Sequence, residues 1–515
     1  MEFIKQNIHM NILTAQGTSE VTLEDDMNLS DAKPDMEKVI LEEGDVEITE
    51  IKEGKDSVKI RGKLLVKVLY VTDDRGCVLD KMEGNISFET EMECSGVNPG
   101  DAVNVTGEVT DLSVGLINSR KISVRSLITL KANVQTLTDE EVISGISDDD
   151  MMECRCKEQM MSQLCVCKKD ILRHKKEIEI GQEYPDVIQI LWQDVRLLRF
   201  DTRMEDGRIA VNGEVNVAVL YEGEAQQPIT YFEKRVPFQE YIEERSAKEG
   251  MLADICITKA LLQIDLKPNP DGRERIFLLD MVAYLELSLY EKIKVQMLSD
   301  AYAVSQEVYC HKKDTVFPNI VQSSQAMTTV EGEIKVRGSH KKLMQVLGCK
   351  GNVCIQHVEP RDNDIEVTGF VPCKCMYITN DDMMPYDAVG TKIPFTYRIE
   401  ANGIVGTDDV RVYVLGVSFG VSVNGEDNIA VRATIQFGVC ITRQEEMTIL
   451  CDVTKEPMDP KKRANIPQYC IYRTLENDTL WDIGKKYYLP ASQIKELNGL
   501  STETLTEGQN LLIVR

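Results

Sequence analysis

The chain has 515 residues, enough at about 100 to 200 residues per domain for three to five domains, which excludes a small disulfide scaffold. Aspartate and glutamate outnumber lysine and arginine by 85 to 59, and the net charge of −26 repels phosphate backbones and anionic lipid, so nucleic-acid binding is disfavoured. Apolar residues make up 43% and charged residues 28%, the balance of a folded chain.

Residues 1–33 form an N-terminal segment in which no basic stretch precedes an apolar one, so a secretory signal is not expected. The longest uncharged apolar stretch, Val412 to Gly425, has 14 residues and falls short of the ~20 of a spanning helix, so no transmembrane segment is expected. The 15 cysteines are scattered and odd in number, and are read as reduced thiols.

A β-rich repeat follows over 34–150. Within it Val58, Ile60, Gly62, Leu64, Val66, Val68 and Tyr70 occupy every second position, the signature of a half-buried strand. The pattern returns at Ile209, Val211, Gly213, Val215, Val217, Val219 and Tyr221 in a second repeat over 184–303. A third repeat, 329–453, carries it at Ile365, Val367, Gly369, Val371, Cys373, Cys375 and Tyr377. Phe88, Phe238 and Phe395 follow at matching distances, and Pro34-Asp35 and Pro185-Asp186 precede their glycines by 28 residues, where the third copy has Lys341. Frequent turn signals such as Asn98-Pro99-Gly100 predict a β-sandwich-like domain per repeat, with the strand glycine marking a bulge or a close backbone approach. Segments 151–183 and 304–328 are expected to be linkers, as is the Pro-rich stretch 454–468, read as a semi-rigid spacer. The expected body is extended.

The last segment, 469–515, changes period. A short strand over Cys470 to Thr474 precedes a helix capped by Thr479, with Leu480, Ile483 and Tyr487 on one face. Pro490 suits the first turn of a second helix carrying Ile494 and Leu497, Asn498-Gly499 stops it, and Leu511 to Val514 make a closing strand. The whole is mainly β: three tandem β-sandwich-like repeats followed by a small α+β (βααβ) domain.

The string from Tyr472 through Asn477-Asp478-Thr479-Leu480-Trp481, Ile483-Gly484 and Tyr487, then Ile494, Leu497-Asn498, Gly508-Gln509, Leu511 and Ile513, resembles a LysM domain. Two positions depart from the common pattern: Asn477 stands where Gly is usual and Gly484 where Ala is usual. LysM domains commonly hold N-acetylglucosamine polymers between two loops. Mapped here these are Glu476, Asn477, Asp478, Thr479 and Leu480, and Asn498, Gly499, Leu500 and Ser501, and the Asn477 departure bears on glycan binding. The three repeats, with Pro237-Phe238 and Pro394-Phe395, resemble the SPOCS domain of clostridial spore coat proteins, and the combination is similar to the SipL-type spore coat morphogenetic family. That resemblance implies a mother-cell protein at the forespore surface whose LysM domain binds the coat basement-layer ATPase, stage IV sporulation protein A, together with other coat proteins. The alternative it leaves open is a peptidoglycan or N-acetylglucosamine binder of the wall or cortex.

Chemistry is sparse. Cys373 and Cys375 fall where the other repeats have valines and read as core. Cys154, Cys156, Cys165 and Cys167 lie in the expected linker, where two Cys-x-Cys arms could converge on zinc, the one cofactor entertained. His9, His174, His311, His340 and His357 are dispersed without a paired nucleophile, there is no phosphate loop or nucleophile elbow, and carboxylates such as Asp148-Asp149-Asp150 read as solvated surface, so no enzyme is expected. In the tail Trp481 is expected in the core, and Asp478 and Thr479 as capping residues first and partner contacts second. From Lys461 to Arg515 eight basic residues face six acidic ones, so this segment is +2 on a body of −28, and Lys485, Lys486 and Lys495 are candidate contacts to an acidic partner.

Overall fold

The computed structural model describes residues 2–73, 79–147, 152–224, 229–336, 342–381, 385–425, 427–502 and 504–515; Asp148 to Asp150, His340 and Lys341 lie outside them. Strand accounts for 77% of the chain and helix for 4%, so the architecture is the mainly-β one expected.

Repeat 1 is built from β1 (Glu2–Asn28), β2 (Met36–Glu53), β3 (Ser57–Thr72), β4 (Leu79–Glu93), β5 (Val103–Asn118) and β6 (Lys121–Ser147). Two antiparallel sheets, β1-β6-β5 and β2-β3-β4, enclose its core. Repeat 2 copies this with β7 (Met152–Glu179), β8 (Val187–Glu205), β9 (Arg208–Gly223), β10 (Ile229–Glu243), β11 (Leu252–Pro268) and β12 (Glu274–Ala303). Repeat 3 comprises β13 (Gln306–Lys335), β14 (Leu343–Gly351), β15 (Cys354–Arg361), β16 (Asp364–Thr379), β17 (Tyr386–Glu400), β18 (Asp409–Asn424) and β19 (Asn428–Pro457); β14 and β15 together do the work of β2. The alternating strands of the sequence are β3, β9 and β16, each at the centre of its sheet.

The strand glycine marks a close approach, and in repeats 1 and 3 a bulge of the neighbouring strand sits beside it, with Thr49 and Gln356 as the extra residues. Gly62, Gly213 and Gly369 lie directly opposite Phe88, Phe238 and Phe395, and a Cβ on Gly62 would stand 2.5 Å from the Phe88 ring and 2.8 Å from the Glu47 carbonyl. The Phe ring covers the backbone that the missing side chain exposes. The remaining motif residues are also structural. Tyr70 and Tyr221 donate to the carbonyls of Pro34 and Pro185 at 3.3 and 3.2 Å, and Asp35 and Asp186 pair with Arg120 and Arg275.

The N-terminal segment and two of the expected linkers are strands. Residues 2–28, 152–179 and much of 304–328 are the opening strands β1, β7 and β13, each paired along nearly its whole length with the closing strand of its own repeat. A bulge at Cys165 explains the misreading of β7, because the extra residue switches the buried phase from Met161 before it to Leu164, Leu172 and Ile178 around and after it. Thr14 and Val321 are the extra residues at the same place in β1 and β13. Closing strands carry a second matched bulge at Ser144, Ser299 and Cys451, whose side chains donate across the ladder to the carbonyls of Ile4, Arg155 and His311.

The body is closed rather than extended. Bulge residues Ile40, Leu191 and Leu347 of β2, β8 and β14 point away from their own sandwiches and meet, with Leu69, Leu220 and Met376, in one shared apolar cluster. Burying each of these side chains is worth roughly 1.5–3 kcal/mol, which no repeat gains alone. A second shared cluster joins Met10, Met161 and Phe317 with Val142, Met297 and Ile449 from the outer halves of the long strands, and a third joins Ile143, Leu298 and Leu450. Register-equivalent residues from all three repeats thus contact one another, a pseudo-threefold arrangement. Polar bonds seal the seams: Gln436 of repeat 3, 3% exposed, accepts from Phe200 N at 2.9 Å and donates to Phe200 O, Asp201 and Gln325. Lys374 and Lys350 reach Glu42 and Glu43 of repeat 1 at 2.5 Å.

Within the expected spacer β19 runs on to Pro457, and α1 (Pro460–Asn465) follows, capped by Asp459. The tail is β20 (Tyr469–Arg473), α2 (Leu480–Tyr487), α3 (Ala491–Leu497) and β21 (Asn510–Val514), the expected βααβ order. No helix among the described residues is long and apolar enough to cross a membrane.

Candidate functional site

The tail domain buries Leu480, Ile483, Leu489, Ile494, Leu511 and Ile513 between its two helices and the inner face of the β20–β21 pair. Its two loops divide into residues that hold the domain together and residues that face solvent. Asn477 has φ +68°, a left-handed backbone that Gly and Asn tolerate best, so Asn477 fills a position whose conformation Gly also suits. The Asp478 carboxylate accepts from Leu475 N and the Tyr472 hydroxyl, both at 2.8 Å, and these bonds hold it below the usual carboxylate range. Thr479 caps α2 through Asp482 N and donates to the Asp482 carboxylate at 2.6 Å. Leu480 is core.

In the second loop Asn498 donates to the carbonyls of Ile494 and Leu512 and accepts from Leu512 N at 2.6 Å, clamping α3 to β21. Leu500 packs against the core, whereas Gly499, at φ +61°, Ser501, Glu476 and Asn477 are exposed. Open loop surface therefore reduces to Glu476, Asn477, Gly499 and Ser501. Lys486 lies over the rings of Tyr472 and Tyr487, and Lys495 closes the last turn of α3.

Trp481 is not a core residue of its domain. Its indole N–H donates to Asp300 of β12 at 2.9 Å and its ring meets Tyr302 edge-on at 4.8 Å, so it anchors α2 to the end of repeat 2. Lys485 joins the same carboxylate at 2.7 Å. Tyr302, 3% exposed, donates to the Leu489 carbonyl at 2.8 Å, and its hydroxyl occupies the space that a Cβ on Gly484 would need. The Gly484 departure thus fits both the neighbouring repeat and the Leu489 carbonyl of its own domain, which a Cβ would approach to 2.8 Å. Burial works against the Asp300 charge, but the bonds from Lys485 and Trp481 outweigh it and keep the carboxyl below its usual range. Sequence reasoning missed Asp300 and Tyr302 because nothing local marks a strand end as a seat for a domain 180 residues away.

The outer face of the β20–β21 pair was also missed. Tyr469 and Ile471 are 71% and 73% exposed, Ile471 pairs across the ladder with exposed Leu512, and Leu475 is exposed just after β20 in sequence. A readable signal exists: with both helices on one side of a two-stranded sheet, Tyr469 and Ile471 must point outward when Cys470 and Tyr472 point in.

The four cysteines weighed as zinc ligands do not converge. They lie along one strand, β7, where the nine steps from Cys156 to Cys165 span about 30 Å. Among the described residues no group of three or more His, Cys, Asp or Glu side chains is arranged to hold a metal ion. His9 and His174 bond to Asp139 and Glu240, and His311 to Thr454, in separate repeats.

Comparison with protein families finds the SipL SPOCS domain at residues 20–117, 186–267 and 342–418, and the LysM domain at 472–514. Each SPOCS match begins at or after the opening strand and stops before the closing strand has ended, so the long paired ribbons reach beyond the matched segments. No curated protein and no solved structure gave a match.

Proposed function

Since the chain belongs to the SipL-type family of coat-associated sporulation proteins, built of SPOCS domains and a LysM module, we propose that it is a non-enzymatic spore coat morphogenetic adaptor. In this reading the LysM module binds the coat basement-layer ATPase, stage IV sporulation protein A. The three-repeat body then holds other coat proteins around the forespore, on the mother-cell side. One observation carries the choice of a protein over a sugar: the outer face of β20–β21 presents Tyr469, Ile471 and Leu512 to solvent. Exposed apolar groups gathered on one small domain favour a protein partner. Several of the polar side chains near the sugar loops, Asp478, Thr479 and Asn498, are already engaged within the domain.

The test is a binding titration of the full chain against the purified ATPase and against chitooligosaccharide. Ile471→Glu should weaken ATPase binding at least tenfold while the domain stays folded, as its side chain lies outside the core. Binding of the sugar alone, unaffected by Ile471→Glu, would overturn the adaptor reading and make the chain a wall or cortex glycan binder acting through Glu476, Asn477, Gly499 and Ser501.

A further inference from the structure

Repeat 3 gathers thiols where the other repeats have none. Cys349 on β14 lies directly opposite Cys375 on β16, and Cys373 shares that face two residues away. The valines Val66 and Val68 of repeat 1 and Val217 and Val219 of repeat 2 fill the places of Cys373 and Cys375, and Glu42 and Gln193, opposite Val68 and Val219, take that of Cys349. Directly opposed residues of an antiparallel pair have Cα atoms about 4.5–5.5 Å apart, inside the 4.4–6.8 Å window of a disulfide. Cys373 and Cys375 are buried in the repeat 3 core, whereas Cys349 is half-buried and lines a cavity at the seam with repeat 2, beside Trp192, Asp194 and Tyr231. Cys349 is the less enclosed of the two and its partner is already in place.

We propose that Cys349 and Cys375 are a peroxide-responsive pair that closes into a cross-strand disulfide and locks β14 to β16 at the seam between repeats 2 and 3. The Cys349 sulfur attacks one peroxide oxygen, the O–O bond breaks, and a sulfenic acid and one water result. The Cys375 sulfur then displaces that oxygen as a second water while the S–S bond forms. Two thiols give up two electrons and hydrogen peroxide takes them. Both sulfurs lie within the packed repeat, so closure is slower than oxidation of exposed thiols such as Cys154 and Cys156.

The experiment uses the full chain with Cys154, Cys156, Cys165, Cys167 and Cys451 changed to Ser, treated with hydrogen peroxide, denatured in an alkylating agent and mapped by peptide mass spectrometry without reduction. The expected result is a peptide linking Cys349 to Cys375, lost in Cys375→Val and in Cys349→Ser. Repeats 1 and 2 show that valine fits the first position. Oxidation should also raise the melting temperature of the parent by roughly 5 °C and leave Cys375→Val unchanged. Full alkylation of Cys349 and Cys375 after prolonged oxidation would overturn the proposal, as would the same temperature shift in Cys375→Val.

Discussion

Replacing Asp300 by alanine should release the LysM domain from the body without unfolding either. Asp300 is the shared acceptor of the Trp481 indole N–H at 2.9 Å and the Lys485 ammonium at 2.7 Å. A hydrogen bond to a charged group contributes about 1.5–3 kcal/mol, and a half-exposed ion pair such as Lys485–Asp300 only about 0.5 kcal/mol. Together the loss is about 2 kcal/mol, or roughly 30-fold in the ratio of docked to released molecules. Asp300→Asn keeps an acceptor for the indole and loses mainly the ion pair, so its effect should be roughly threefold. Trp481 reports the change directly, because Trp192→Phe leaves it as the sole indole of a chain with two tryptophans. In that background Asp300→Ala should shift its emission to the red, and small-angle scattering should show a larger maximum dimension. Unchanged emission and scattering would mean that the Tyr302 contact alone seats the domain, and the assignment of Asp300 would fail.

Gly484→Ala should act like Asp300→Ala on the same two readouts, since its methyl group collides with the Tyr302 hydroxyl, and it should also lower the stability of the LysM domain itself, since the same methyl presses on the Leu489 carbonyl. The docked state should be insensitive to pH between 8 and 5. The Asp300 carboxyl is depressed on folding, so its contribution is complete above the ordinary value of about 3.9 and fades only as pH falls below that through the folded value, which Trp481 emission can follow. Gln436→Leu leaves the Phe200 N–H without its side-chain acceptor in a buried seam, while the Phe200 carbonyl keeps the Gln325 amide, and should cost about 2 kcal/mol, read as a lower denaturation midpoint with an unchanged slope.

Local pattern carried most of each repeat. The period-two runs placed β3, β9 and β16, and the spacing from Gly to Phe reflected a direct cross-strand pair, Gly62 with Phe88. What escaped were features set by distant parts of the chain. The polar sequence of β7 looked like a linker because its bulge at Cys165 breaks the alternation and because Met161 is buried in a cluster shared with the other repeats rather than in its own sandwich. Ile40 was invisible for a related reason: as the extra residue of a bulge it breaks phase and leaves the sandwich for the shared cluster. In the tail the caps and helices were legible from Thr479, Pro490 and Asn498-Gly499. Trp481 was misplaced because an amphipathic pattern tells which residues are covered, not by which domain.

The central meeting of Ile40, Leu191 and Leu347 bears on how the protein is made. Ile40 leaves the ribosome 307 residues ahead of Leu347, an interval on the order of 15 to 60 s at about 5–20 residues per second. Throughout that time repeat 1 can complete its own sandwich but must carry uncovered apolar side chains at its apex and along the outer half of β1. The last repeat to be synthesised closes all three clusters at once. Truncation after the second repeat should therefore yield a sticky product rather than a smaller working protein, and such nascent chains are natural clients for chaperones.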